Sequence, residues 1–240
     1  VEGNGQAELE QVLGGLLTPT RGTVELAGQD ITRASPLERR RLGMANIPSD
    51  RLAWGCSPQA SVFENSISQL HREHRTGGVL NIGALKRKAQ EIFTTFDVRT
   101  PGMAVQVGAL SGGNLQKLIL GRELTAGRRR GAGGSGGGRS GGADDAREQV
   151  PEAIVVATPT RGIDVRGVVF IHDLLCEYRD AGTAIVLIST DLDELLALSD
   201  RLVVLYKGTA AAVLPGAGQT GKEELGRYML QGAAAERASA

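Results

Sequence analysis

Two short apolar runs, AIVVA at 153–157 and AIVLIS at 184–189, flank a segment that repeats Val168, Ile171, Leu175 and Tyr178 at helical spacing. Short apolar runs of this kind read as strands, and strand, helix, strand is the order of a parallel sheet. The chain therefore reads as α/β. RLVVLY at 201–206 supplies another strand, and a final helix around Glu223 to Leu230 leads into an Ala-rich tail expected to fray.

Upstream, Leu9, Val12, Leu13, Leu16 and Leu17 recur at helical spacing, which predicts a helix with one buried face ended by Thr18-Pro19-Thr20. It starts directly after the glycine loop VEGNGQA. TVELAGQDI reads as a strand and hairpin turning at Gly28, and LGMANI as a short buried strand before Pro48. From about 54 to 110 the pattern becomes mixed polar helix, with Leu85, Ile92, Phe93 and Phe96 on one face, and predicts a helical subdomain. A further helix follows Ser111 through Leu115, Leu118, Ile119 and Leu124. The Gly/Arg/Ser tract at about 127–148 has too little apolar surface to offset its ordering entropy and reads as a flexible, solvated insertion.

The 240 residues are 41% apolar, enough for one domain spanning 1–240 with a single sizeable core. Lys+Arg 27 balance Asp+Glu 27, so no global field draws the chain to nucleic acid, and no nucleic-acid partner is expected. Cys56 and Cys176 match no metal or disulfide-scaffold spacing, which fits a reducing compartment. No apolar run approaches the ~18 residues of a membrane span. The sequence opens inside what reads as a strand-to-helix turn, so the preceding strand is expected to be missing and the chain to be a fragment of a longer protein.

Chemistry concentrates in ALSGGNLQKLILGREL, where Ser111, Gly112 and Gly113 stand at the start of a helix. A helix N-terminus offers unpaired N–H groups and positive dipole, and glycines let an anion approach the backbone. Alone, the segment reads as an ordinary Ser cap with a glycine turn. Leu110, Ser111, Gly112, Gly113 and Gln116, however, complete the pattern LSGGxxQ, which resembles the signature motif of ATP-binding-cassette (ABC) nucleotide-binding domains. Other segments resemble that family in the expected order: VEGNGQA its P-loop, Thr160-Arg161-Gly162-Ile163-Asp164 its PTxGLD segment, and STDLDELLALSDRLVVLYKG its switch strand and following helix. IPSDR, LSGGNLQK and PTRGIDV narrow the likeness to the second cassette of bacterial importers for ribose, related sugars and nucleosides.

The resemblance implies a P-loop NTPase-type cassette with a mainly parallel core sheet, a small antiparallel β part and a helical subdomain. It also implies ATP as the bound nucleotide, cradled by Gly3, Asn4, Gly5 and Gln6 on one side and recognised by Ser111, Gly112, Gly113 and Gln116 on the other. The departures fall on the groups that handle charge. The family's P-loop Lys and Mg²⁺-binding hydroxyl align with Gln6 and Ala7, its Asp-Glu pair with Ala157 and Thr158, and its switch histidine with Thr190. The site is thus expected to be degenerate, with no catalytic group intact and Mg²⁺ held mainly at a partner's site.

ABC domains work as head-to-tail pairs, so a chain with a dead P-loop and a good signature is expected to complete the ATP site of a second cassette, fused upstream. Asp164 is implied to touch that partner. A membrane permease and, indirectly, a solute-binding protein are implied as further partners, with the chain peripheral on the cytoplasmic face of the membrane. Arg51 and Trp54 are expected on a surface facing the permease. His71 and His74 of HREH read as a solvated stretch rather than a metal site, His172 as a packed or edge histidine, and Lys207-Gly208 as a turn. The alternatives are a self-sufficient ATPase in which Gln6 and Asp191 replace the missing groups, and a decayed cassette fragment.

Overall fold

The computed structural model describes residues 3–71, 74–76, 78–126, 150–216 and 219–232. The insertion expected at about 127–148, Glu73 and the Ala-rich tail lie outside the described residues.

The first helix, α1 (Gln6–Gly14), is shorter than its leucine pattern predicts. Gly15 takes the left-handed conformation at φ 78° and its N–H closes back on Gln11 and Val12, a glycine C-cap that ends the helix before Thr18. Leu16 and Leu17 consequently leave the helical face and are exposed. A two-residue hairpin, β1 (Glu25–Leu26) and β2 (Gln29–Asp30), leads to α2 (Pro36–Arg41). Ser35 and Glu38 form a reciprocal capping box at its start, with Pro36 in the first turn, so the sequence specifies this end locally.

From α2, Arg39 reaches back into the structure and is 2% exposed. Its guanidinium donates to the carbonyls of Val12 and Leu13 at 2.7 Å each, Ile31 at 2.9 Å, Ala34 at 3.0 Å and Thr32 at 3.2 Å. Val12 and Leu13 are among the last carbonyls of α1, which have no partner within the helix. One cation thus satisfies the end of α1 and ties it to the segment between β2 and α2.

Strand β3 (Met44–Ile47) follows, then a π-turn at Arg51–Gly55 and α3 (Val62–Ile67). A small hairpin, β4 (Arg75–Thr76) with β5 (Val79–Leu80), precedes α4 (Ile82–Thr95), whose Leu85, Ala89, Ile92 and Phe93 are buried. In α5 (Gly112–Ala126), a Cβ on Gly121 would lie 2.6 Å from Ile92 Cγ2, so a glycine sets how closely α4 and α5 approach. Val62, Leu85, Ile92 and Leu118 belong to one apolar cluster with Ile47, Ile154 and Ile171, and the helical part therefore shares its core with the sheet.

The central sheet has the order β3, β6 (Ala153–Ala157), β7 (Ala184–Ile188), all parallel, with Met44 opposite Ala153 and Ala153 opposite Ala184. All five residues of β6 are buried, as a middle strand covered on both faces requires. Between β6 and β7 runs α6 (Val165–Asp180), burying Ile171, Leu175 and Tyr178 as its spacing predicts. The remaining elements are α7 (Leu192–Leu198), β8 (Arg201–Tyr206), β9 (Thr209–Pro215) and α8 (Lys222–Gln231). β8 pairs antiparallel with β9 as a separate sheet. Between β7 and β8 lies a cleft of about 670 Å³, lined by Ile185, Leu187, Leu195, Val203 and Leu225 with Gln6 among the residues facing it. No strand precedes α1 among the described residues, and the outer edge of β7 opens onto this cleft.

Candidate functional site

The loop before α1 is shaped by two glycines at positive φ, Gly3 at 85° and Gly5 at 104°. Such conformations are strained for side chains with a Cβ. The turn between β8 and β9 holds the loop from outside: the amides of Lys207 and Gly208 donate to Asn4 Oδ1 at 2.8 Å and to the Asn4 carbonyl at 3.1 Å. Gln6 turns back, and its Oε1 accepts the Asn4 N–H at 2.8 Å. The residue standing at the expected lysine position thus satisfies one of the backbone donors that a phosphate cradle would offer. Ala7 brings no hydroxyl.

The positions aligned with the acidic pair and the switch histidine lie at the ends of β6 and β7. Ala157 is buried as the last residue of β6, and Thr158 follows at φ 43° with its hydroxyl buried and without a hydrogen-bond partner. A β-branched residue in the left-handed region is held there at a cost of about 1–3 kcal/mol. Its N–H donates to the Ile188 carbonyl at 2.7 Å, tying the ends of the two strands together. Thr190 is exposed. Asp191 caps α7, its carboxylate accepting from the amides of Asp193 at 2.9 Å and Glu194 at 3.3 Å. Ala7, Ala157 and Thr158 offer no carboxylate for a divalent cation, so these residues do not fit Mg²⁺ as a resident ion.

A different arrangement surrounds the second glycine loop. Ser111 caps α5, and its Oγ accepts from the Asn114 side-chain amide at 2.9 Å and from the Asn114 N–H at 3.4 Å. Asn114 Oδ1 in turn accepts the Arg99 N–H at 2.8 Å, which fixes which end of the amide faces Ser111. With both contacts donated to it, the Ser111 hydroxyl keeps its own proton for an acceptor outside the loop. The helix dipole and the first amides of the fifteen-residue α5 point the same way. Ser111 and Gly112 are exposed and Gly113 half-buried, while Gln116 is 1% exposed with Oε1 unpartnered, inside the core rather than on this face.

The signature glycines pack against the loop that leads into α6. A Cβ on Gly112 would lie 3.5 Å from the Gly162 carbonyl, and one on Gly113 3.9 Å from Asp164 Oδ2. Asp164 caps α6 through Oδ1, which accepts the Gly167 N–H at 2.9 Å, leaving Oδ2 on the side of Gly113. Behind the loop, Thr160 donates to the buried Glu194 at 2.9 Å, and His172 Nε2 is 3.2 Å from the same oxygen. In front, Arg51 donates to the Gly112 carbonyl at 3.3 Å and to the Arg161 carbonyl. Burial lowers the Arg51 pKa from its ordinary value and the nearby Arg161 charge acts in the same direction, yet an arginine keeps its charge. Trp54 and Leu52, on the same π-turn, are exposed, so the turn divides its residues between this seam and the surface. Arg51, Asn114, Glu194 and the Lys207-Gly208 turn were not legible as site residues; only Asn114, three residues after a Ser cap, had a local signal.

With this geometry in place, the chain belongs to the ABC transporter family, whose sequence model matches residues 2–129. It is 36% identical over 232 residues to the guanosine import ATP-binding protein NupO of Bacillus subtilis, covering 95% of this chain and 41% of that protein. It is 32% identical over 234 residues to the nucleoside import ATP-binding protein NupA of Lactococcus lactis, covering 97% of this chain and 42% of that one. The ribose import ATP-binding protein RbsA 1 of Rubrobacter xylanophilus is 31% identical, covering 93% of this chain and 40% of its own length. The chain therefore spans about two fifths of the length of these relatives. Among solved structures, the dimeric post-hydrolysis state of the ATP-binding cassette MJ0796 bound to ADP and Pi matches at TM-score 0.66 and 16% identity, covering 91% of this chain and 83% of that one. The ADP conformation of the cassette MJ1267 matches at TM-score 0.61 and 20% identity, covering 99% and 84%. These likenesses establish the cassette fold.

Proposed function

We propose that the chain is an ATP-binding component of an importer for sugars or nucleosides, and that it acts on phosphate at Ser111–Gly113 rather than at its own glycine loop. One observation carries this reading: in the first loop the Asn4 N–H donates to Gln6 and Asn4 accepts from the amides of the β8–β9 turn, whereas the second loop directs a hydroxyl and a helix N-terminus outward. The nucleotide served by the second loop is an ATP held by a partner cassette, with Ser111, Gly112 and Gly113 approaching its γ-phosphate and Asp164 meeting the partner beside them. Mg²⁺ belongs mainly to the partner's site.

The import class follows from the relatives, which are named for guanosine, nucleoside and ribose import. Each is more than twice as long as the stretch shared with this chain, which accommodates a second cassette fused upstream in one polypeptide. A membrane permease and, through it, a solute-binding protein complete the assembly, with the chain peripheral on the cytoplasmic face; no helix among the described residues is long and apolar enough to cross a membrane. The alternative of a self-sufficient ATPase asks Gln6 and Asp191 to replace a cation and a switch histidine. Gln6 is folded onto Asn4, and Asp191 caps α7.

Two measurements test the proposal. The purified chain is expected to show no Mg-dependent ATP turnover, and Ser111→Arg is expected to lower turnover by the chain assembled with an intact cassette about a hundredfold to a thousandfold, the loss for a preorganised donor. Turnover by the chain alone, or an unchanged rate in the Ser111→Arg assembly, overturns it.

A further inference from the structure

We infer that Arg51 is a positioning residue that joins the signature loop to the Thr160–Asp164 loop, so that both meet the partner's nucleotide as one rigid face. The inference rests on the reading above, in which Ser111–Gly113 serve a partner's ATP.

Arg51 comes from a third segment, 61 residues before one acceptor and 110 before the other. Its own backbone is fixed first. Asp50 Oδ1 accepts the amides of Leu52 at 3.0 Å and Ala53 at 2.9 Å, capping the π-turn. From that anchor the guanidinium enters the seam and donates Nη1 to the Gly112 carbonyl and Nη2 to the Arg161 carbonyl. Two acceptors at a set spacing suit the planar fork of arginine, whereas lysine presents a single point charge.

Gly112 lies against both sides of the seam: a Cβ there would stand 3.5 Å from both Arg51 Nη1 and the Gly162 carbonyl, in ordinary contact with each. Glu194 holds the Thr160 end of the same loop from behind, so Arg51 supplies the matching tie in front. Ser111 immediately precedes one of the bridged residues, and Asp164 follows the other by three. Freeing Gly112 from Arg161 lets the donors on Ser111 and Gly113 shift relative to Asp164, and a displacement of about 1 Å at a reacting group costs on the order of a hundredfold in rate.

The test uses the chain assembled with an intact cassette. Arg51→Ala is expected to lower kcat for ATP about tenfold to a hundredfold while KM changes about twofold or less. Arg51→Lys, which keeps the charge and the stem, is expected to recover little of that loss. Because Arg51 acts through the signature, the loss caused by Arg51→Ala is expected to be smaller in a Ser111→Ala background than in the wild type, with the remainder coming from Gly113. Wild-type kcat in Arg51→Ala beside an inactive Ser111→Arg overturns this inference and leaves the proposed function standing. Full activity in Ser111→Arg overturns the proposed function itself. A loss confined to KM, full recovery by Arg51→Lys, or losses that multiply in the double variant also overturn the inference. Should Arg51→Ala fail to fold, Arg51→Lys decides the question on the same readouts.

Discussion

Gly3–Gln6 and Ser111–Gly113 are alike on paper, each a pair of glycines ahead of an apolar helix, but the two loops orient their polar groups in opposite directions. The first is closed from within: Gln6 accepts from Asn4, and Asn4 accepts from the β8–β9 turn. The second is braced from below, with Asn114 donating to Ser111 and Arg99 donating to Asn114, so the supporting contacts leave the outward face clear. Glycine also does different work in each. Gly5 is needed for a backbone conformation at φ 104°, whereas Gly112 has no positive φ and fills a seam in which a Cβ would only just touch Arg51 and Gly162. A glycine pair before a helix therefore identifies a possible anion site, and the partners of its amides and hydroxyls decide whether the site is available.

Substitutions that separate the loops put this contrast to use. The largest effect is expected from Gly112→Val, whose branched side chain forces Gly162 and Arg51 away; turnover of the assembled pair falls about a hundredfold in a steady-state ATPase assay. Next, Asn114→Asp is isosteric but cannot donate to Ser111, and its carboxylate draws the hydroxyl proton inward. Turnover falls about tenfold, close to the 1.5–3 kcal/mol worth of a hydrogen bond to a charged group. A similar factor in the opposite direction is expected on the other loop: Gln6→Lys with Ala7→Ser tightens ATP binding to the chain alone about tenfold by titration calorimetry. It still yields no turnover, because Ala157 and Thr158 supply no carboxylate.

Smaller effects test the first loop as structure. Gly5→Ala imposes a Cβ at positive φ and destabilises the chain by about 1–2 kcal/mol in denaturant titration, with turnover of the pair unchanged. Asn4→Ala removes the side-chain acceptor of Lys207 N–H and costs about 1 kcal/mol by the same measurement. If either substitution silences the pair, the first loop contributes to turnover and the contrast fails.

The parallel strands were legible because AIVVA and AIVLIS are short, apolar and β-branched, and α6 because Ile171, Leu175 and Tyr178 keep one face. The end of α1 was not. The leucine pattern ran through Leu17, but a left-handed Gly15 with two carbonyls to satisfy ended the helix first. The candidate motif residues were legible only through the family resemblance, since Ser111-Gly112-Gly113 by itself reads as a helix cap. Their supports were not legible, since Arg51, Glu194 and the Lys207-Gly208 turn reach the loops from 34 to 203 residues away and carry no local pattern. Gln116 shows the reverse case: it completes the motif by spacing, while helical geometry turns it into the core.

The outer edge of β7 also has a practical consequence for handling the chain. Val186, exposed on β7, lines the cleft, and no neighbouring strand bonds that edge among the described residues. Strand edges of this kind template the addition of further strands, and natural proteins blunt them with charge. Preparations of the chain by itself should therefore grow in scattering mass with concentration, and a lysine at the exposed Val186 should keep them dispersed.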